Sequence, residues 1–278
     1  MTAMQIINSE WQVNFTAVVI ATVLLMFHIL TNGNKLTRRS ALFFTGIFLL
    51  LIVTCSPLAY LGHNYLFSAH MIESITLLLI VPPLLLTGTS RDYVEKLTEK
   101  PAFRKIGNVL FYPILAWLAG IGAMWIWHIP KLMMMVHHSQ LLQIIHFISL
   151  LLLGTIFIWP VYAPTKLRKL QPLVGSVYLF IACVSCTVLG IYITFAPEGV
   201  FTSYLAGSNM SIIKFIQSDW GVTPNIDQEM AGLIMWVPAC IVYLTNIMIT
   251  LFRWYAAPEP EYEEAAAGQR KSGTLKVS

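Results

Sequence analysis

The chain has 278 residues, 57% of them hydrophobic and 11% charged, with a mean hydropathy of +0.71 and a formal net charge of +4. A soluble domain carries about 25% charged residues, so this composition excludes an ordinary water-soluble enzyme and points to an all-α, polytopic membrane protein. The basic residues lie beside apolar stretches and no nucleic-acid motif is present, so membrane topology accounts for the charge.

Residues 1–13 contain no Lys or Arg. The positive region of a cleavable signal is therefore missing, and the first apolar stretch is expected to stay as a helix. Seven stretches are long enough to cross a bilayer, which takes about 20 residues. They fall at 14–31, 41–62, 65–87, 108–128, 141–162, 172–197 and 229–252, and together form one membrane domain over 1–253.

The loops orient them. Lys35, Arg38 and Arg39 follow the first span, Arg91, Lys96, Lys100, Arg104 and Lys105 the third, and Lys166, Arg168 and Lys169 the fifth. With Arg253, Arg270, Lys271 and Lys276 after the seventh, these are 15 of the 17 basic residues; only Lys131 and Lys214 fall on the other side. The positive-inside rule places the crowded side in the cytoplasm, with the N-terminus outside and the C-terminus inside. The polar tail 254–278 reads as a disordered cytoplasmic segment. The long outer connection 198–228, with Gly199, Gly207, Gly221 and Pro224, is expected to form a small cap over the bundle.

That topology gathers the histidines. The stretch Ser68-Ala-His-Met-Ile-Glu73 opens the third span, and on a helix its His70 and Glu73 share a face. Ionisable groups inside a span are expensive and mark functional sites when they face protein or water. His70 and His146 each lie about six residues below the outer end of a span, roughly 9 Å deep at 1.5 Å per residue. His128 ends the fourth span, and Asp227 stands just before the seventh. Only His28 lies toward the inner side.

Imidazole, carboxylate and thioether groups at one depth make a transition-metal site plausible, and Met71, Met124 and Met133–Met135 are available nearby. The candidate ligands are His70, Glu73, His128, His146 and Asp227, the carboxylates acting directly or by orienting an imidazole. His63, His137 and His138 read as solvated loop residues. Cys183 and Cys186 form a C-x-x-C in mid-span, where a thiolate is costly, and read as packing residues. Two histidines at equal depth would also permit haem ligation, and a transporter or channel is a further alternative. The inner half offers a conduction path little beyond His28, Thr76, Thr87 and Thr155.

Several motifs carry a family resemblance. Ser68–Glu73 with Val81-Pro-Pro-Leu-Leu-Leu-Thr-Gly88, Trp127-His-Ile-Pro130, Ile158-Trp-Pro160, Tyr192-Ile-Thr-Phe-Ala-Pro197 and above all Asp227-Gln-Glu-Met-Ala-Gly-Leu-Ile-Met-Trp-Val-Pro238 resemble the CtaG family, from about residue 60 to 250. The resemblance implies a bacterial cell-membrane protein, not an enzyme, that assists assembly of caa-type cytochrome c oxidase. It further implies binding of copper, as Cu(I), at the outer face and delivery to the CuA centre of subunit II. His70, His128, His146 and Asp227 match family motif positions. The chain departs from the pattern at Ser74 and Leu142, where many members have histidine.

Overall fold

The structure, a computed structural model, describes residues 11, 13–32, 37–197, 200–201 and 209–256. Lys35, Gly199, Gly207 and the tail from 257 onward lie outside these. All regular structure among the described residues is helical. In chain order the helices are α1 (Phe15–Asn32), α2 (Arg38–Cys55), α3 (Pro57–Asn64), α4 (Phe67–Ile75), a π-helical turn (Thr76–Ile80), α5 (Val81–Gly88), α6 (Arg91–Glu99), α7 (Pro101–Leu110), α8 (Pro113–Trp127), α9 (Pro130–His138), α10 (Gln140–Tyr162), α11 (Pro172–Phe195), α12 (Met210–Ser218) and α13 (Pro224–Tyr255).

Among the described residues six helices are long and apolar enough to cross a membrane, α4 to α5 counting as one. The expected fourth span is the exception. Its membrane helix, α8, has only 15 residues, and it continues α7 across a 62° bend. Pro113 opens α8 and holds Tyr112 in extended conformation, because the residue before a proline avoids the helical region. Counting that bent pair as one span gives seven. Likewise the expected second span, 41–62, is two helices. Ser56 before Pro57 is extended, so α2 stops at Cys55 and α3 starts afresh.

The third span lies at the centre. Its most apolar stretch is 72% buried, against 17–44% for the other long helices. Leu77, Leu78, Leu79 and Val81 are in the core, while Leu30, Phe195 and Phe252 project outward, as lipid-facing side chains of a membrane bundle do. Pro82 and Pro83 cannot donate to the carbonyls of Leu78 and Leu79, and the turn above them widens to the π form. Gly154 of α10 packs against the Leu78 backbone there; a Cβ would lie 3.0 Å from the Leu78 Cα. α11 and α13 pack along much of their length through Gly190 and Gly232, where a Cβ on Gly190 would meet Trp236 at 2.8 Å. Small residues allow such close helix contact in membranes. Cys183 of α11 faces Cys240 of α13 across this contact, Sγ to Sγ 2.9 Å, and the four cysteines are free thiols.

Helix ends segregate by chemistry. The starts of α4 and α10 and the loop before α1 surround the histidines at one end. The start of α2 and the ends of α5, α10 and α13 surround Arg38, Arg39, Arg91, Lys166, Lys169 and Arg253 at the other. The expected cap takes partial form in α12, whose Ile212 and Ile216 pack on Leu61, Tyr65, Leu66 and Ala69 above the histidine end.

Candidate metal centre

His70 lies in the first turn of α4, whose N-cap residue, Leu66, has no side chain able to cap it. The cap comes instead from a distant helix. Asp227, in the first turn of α13, accepts hydrogen bonds from the backbone N–H of Phe67 (2.6 Å), the N–H of Ser68 (3.0 Å) and the Ser68 hydroxyl (2.5 Å). A carboxylate is favoured there because the first N–H groups of a helix are unpaired and carry its positive end. Asp227 is buried, and both its oxygens serve α4. In this arrangement it positions the helix that carries His70. Gly62 of α3 closes the other side of that turn; a Cβ would lie 2.9 Å from the His70 backbone nitrogen.

Around the buried His70 ring stand three other imidazoles. Ring centroids lie 5.1 Å away for His146, 6.5 Å for His128 and 6.5 Å for His137. The Nδ1 of His128 pairs with the Met124 carbonyl. A carbonyl only accepts, so the proton sits on Nδ1 and the Nε2 lone pair is available. The Nε2 atoms of His128 and His146 are buried with no hydrogen-bond partner among the described residues. Trp127 and His146 pack edge to face, ring centroids 5.0 Å apart. His63, at the end of α3, pairs with Glu73 at 3.0 Å. Burial opposes a charge on His63, but the Glu73 carboxylate outweighs it by charge and hydrogen bond and raises the imidazole above its ordinary range. Burial pushes His137 down to about 4, against a hydrogen bond to the His63 backbone, so its ring is neutral at pH 7. A cavity of about 270 Å³ opens beside these groups, lined by His63, His70, Glu73, His137 and His146. His128 does not line it, and its ring centroid lies 6.5 Å from that of His70.

Two imidazoles on one ion at a metal–nitrogen distance of about 2.0 Å have centroids roughly 5–6 Å apart. The 5.1 Å pair lies in that range and the 6.5 Å pairs just beyond it. Orientation is less suited. His70 and His146 are near-parallel at 22°, and an ion must lie close to the plane of each ring that binds it. Among the described residues, no three His, Cys, Asp or Glu groups are arranged to hold a metal as they stand. Imidazole nitrogens such as the buried, unpartnered Nε2 atoms of His128 and His146 are the right donor class for copper, and the rings would turn about their Cβ–Cγ bonds to take it.

The sequence-predicted residues therefore divide. His70, His128 and His146 come together, Glu73 is engaged by His63, and Asp227 caps α4 from outside the ring cluster. His63 and His137 also stand in the histidine cluster, although their sequence positions read as loop. The signal for His63 was its place one turn of chain before the His70 helix; for His137, its place just ahead of the His146 helix. Ser74, at a position where the resembling family often has histidine, is fully buried, with its hydroxyl unpartnered among the described residues.

No curated protein and no solved structure matches the chain. A family model described as cytochrome c oxidase caa3 assembly factor (Caa3_CtaG) matches residues 18–257, which include every helix described above except the first three residues of α1. This bacterial, multi-pass membrane chain belongs to the Caa3_CtaG family of cytochrome c oxidase assembly factors.

Proposed function

We propose that the protein binds copper at the histidine end of the bundle and helps deliver it to the CuA centre of oxidase subunit II, acting by binding and transfer and not by catalysis. The positive-inside rule turns this end outward, with the N-terminus outside and the C-terminus inside. The observation that carries the reading is the pair of buried, unpartnered Nε2 atoms on His128 and His146 beside His70. A buried polar atom without a partner costs about 1–3 kcal/mol, and a soft cation bound by its lone pair removes that cost. Cu(I) is the form suited to few nitrogen donors with methionine close by; Met71, Met124 and Met133 are all buried in the same region. Donors that must rotate to converge fit a cargo that is released again, unlike the closed cage of a structural metal site.

A haem between His70 and His146 would have to push apart rings whose centroids lie 5.1 Å from each other, and the adjoining cavity of about 270 Å³ suits an ion better than a macrocycle. The test is copper content after anaerobic loading with Cu(I) and gel filtration in detergent. The wild type retains about one equivalent; the His70→Ala, His146→Ala double variant loses it. Undiminished copper in the folded double variant refutes the site.

A further inference from the structure

At the end of the bundle opposite the histidines lies a larger cleft, of about 990 Å³. Its walls carry Arg38, Arg39, Arg91, Lys166, Lys169 and Arg253, and among the described residues no Asp or Glu lines it. Among the described residues Arg38, Arg39, Arg91, Lys166 and Arg253 form no ion pair. We propose that this cleft is a binding site for the phosphodiester headgroup of an anionic phospholipid.

Four observations favour a lipid over a free anion. The cations come from the ends of membrane-crossing helices, with the loops that leave them, so they stand at the depth where headgroups lie. The cleft is also amphipathic. Leu42, Leu86, Val161 and Leu170 line it together with the charges, which gives the first carbons of an acyl chain an apolar wall. Its volume is on the scale of sites for small organic molecules, far more than one inorganic phosphate requires. At the rim Arg253 lies over the Tyr162 ring, 5.3 Å from its centroid, and Trp254 follows; aromatic residues with basic neighbours are the usual anchors of the interface. Several like charges facing one concavity repel each other, and a phosphodiester between them reverses the sign of that interaction.

The whole protein is reconstituted into nanodiscs of phosphatidylcholine alone or with about 20% phosphatidylglycerol, anionic lipid being the species that basic residues at the interface attract. Bound lipid is read by native mass spectrometry alongside the thermal midpoint. We expect one or two retained phosphatidylglycerol molecules and a higher midpoint in the mixed discs. Arg39→Gln with Lys166→Gln and Arg253→Gln lowers retention at least fivefold. A charge-matched control, Lys96→Gln with Lys100→Gln and Lys105→Gln, lies outside the cleft on the same side and retains the lipid. Equal loss in both triples overturns the proposal in favour of diffuse surface charge. A wild-type midpoint raised as much by inorganic phosphate in phosphatidylcholine discs overturns it in favour of a soluble anion. No difference between the two disc compositions overturns it outright, and that comparison needs no variant.

Discussion

Replacing Asp227 with alanine removes three hydrogen bonds from the start of α4 and strands the Phe67 and Ser68 N–H groups in a buried setting. Loss of a cap costs about 0.5–2 kcal/mol, and each stranded buried donor about 1–3 kcal/mol. These overlap, because the cap is made of the same bonds, so the expected loss is about 2–4 kcal/mol. Asn keeps one carbonyl acceptor and is itself a good cap, so Asp227→Asn loses about half as much. Thermal unfolding in detergent gives the ranking wild type, Asn, Ala. Hydrogen exchange over residues 66–72 shows whether the first turn of α4 has loosened. Copper retention should fall with Ala and largely survive Asn, since the carboxylate acts through the helix. A midpoint for Asp227→Ala equal to wild type would refute the capping argument. Copper lost in Asn with an unchanged midpoint would show the carboxylate to be a ligand.

Other expectations follow from single contacts. The pKa of His63 is raised by Glu73, so their attraction stabilises the fold fully below pH about 6.5 and is lost as pH rises through the higher folded value; Glu73→Gln brings the His63 NMR titration back down, and an unmoved titration refutes the pair. Ser74→Ala removes a buried hydroxyl with no partner among the described residues and should hold or raise the midpoint, by up to about 1–2 kcal/mol; a clear loss would reveal a hidden partner. Gly190→Val drives a branched side chain into Trp236 and the Gly232 carbonyl and should cost about 1–3 kcal/mol or more, read as a lowered midpoint.

Much of the bundle was legible because crossing a bilayer demands long apolar runs, and such runs survive in any sequence that meets the demand. The starts of α10 and α11 fell within a residue of their expected places for that reason. Breaks were harder. Ser56-Pro57 and Tyr112-Pro113 interrupt runs that hydropathy alone treats as continuous, and the signal was the proline. The meeting of His70 and His146 was readable from equal depth on two spans. The cap from Asp227 was not, since it joins residues 160 positions apart. His63 and His137 were missed because polar residues between spans are usually solvated, whereas here α3 and α9 fold them back against the bundle.

The π-helical turn at Thr76–Ile80 has a bearing on chain length. A single π turn holds one residue more than the α-helix it interrupts. Deleting one residue within 76–80 should therefore regularise the helix and leave His70 above and Thr87 below on their present faces. The same deletion a turn away would rotate one half of the span by about 100° against the other. The third span has one locus where a residue can be dropped in register, and it lies between the two ends where the chemistry is kept.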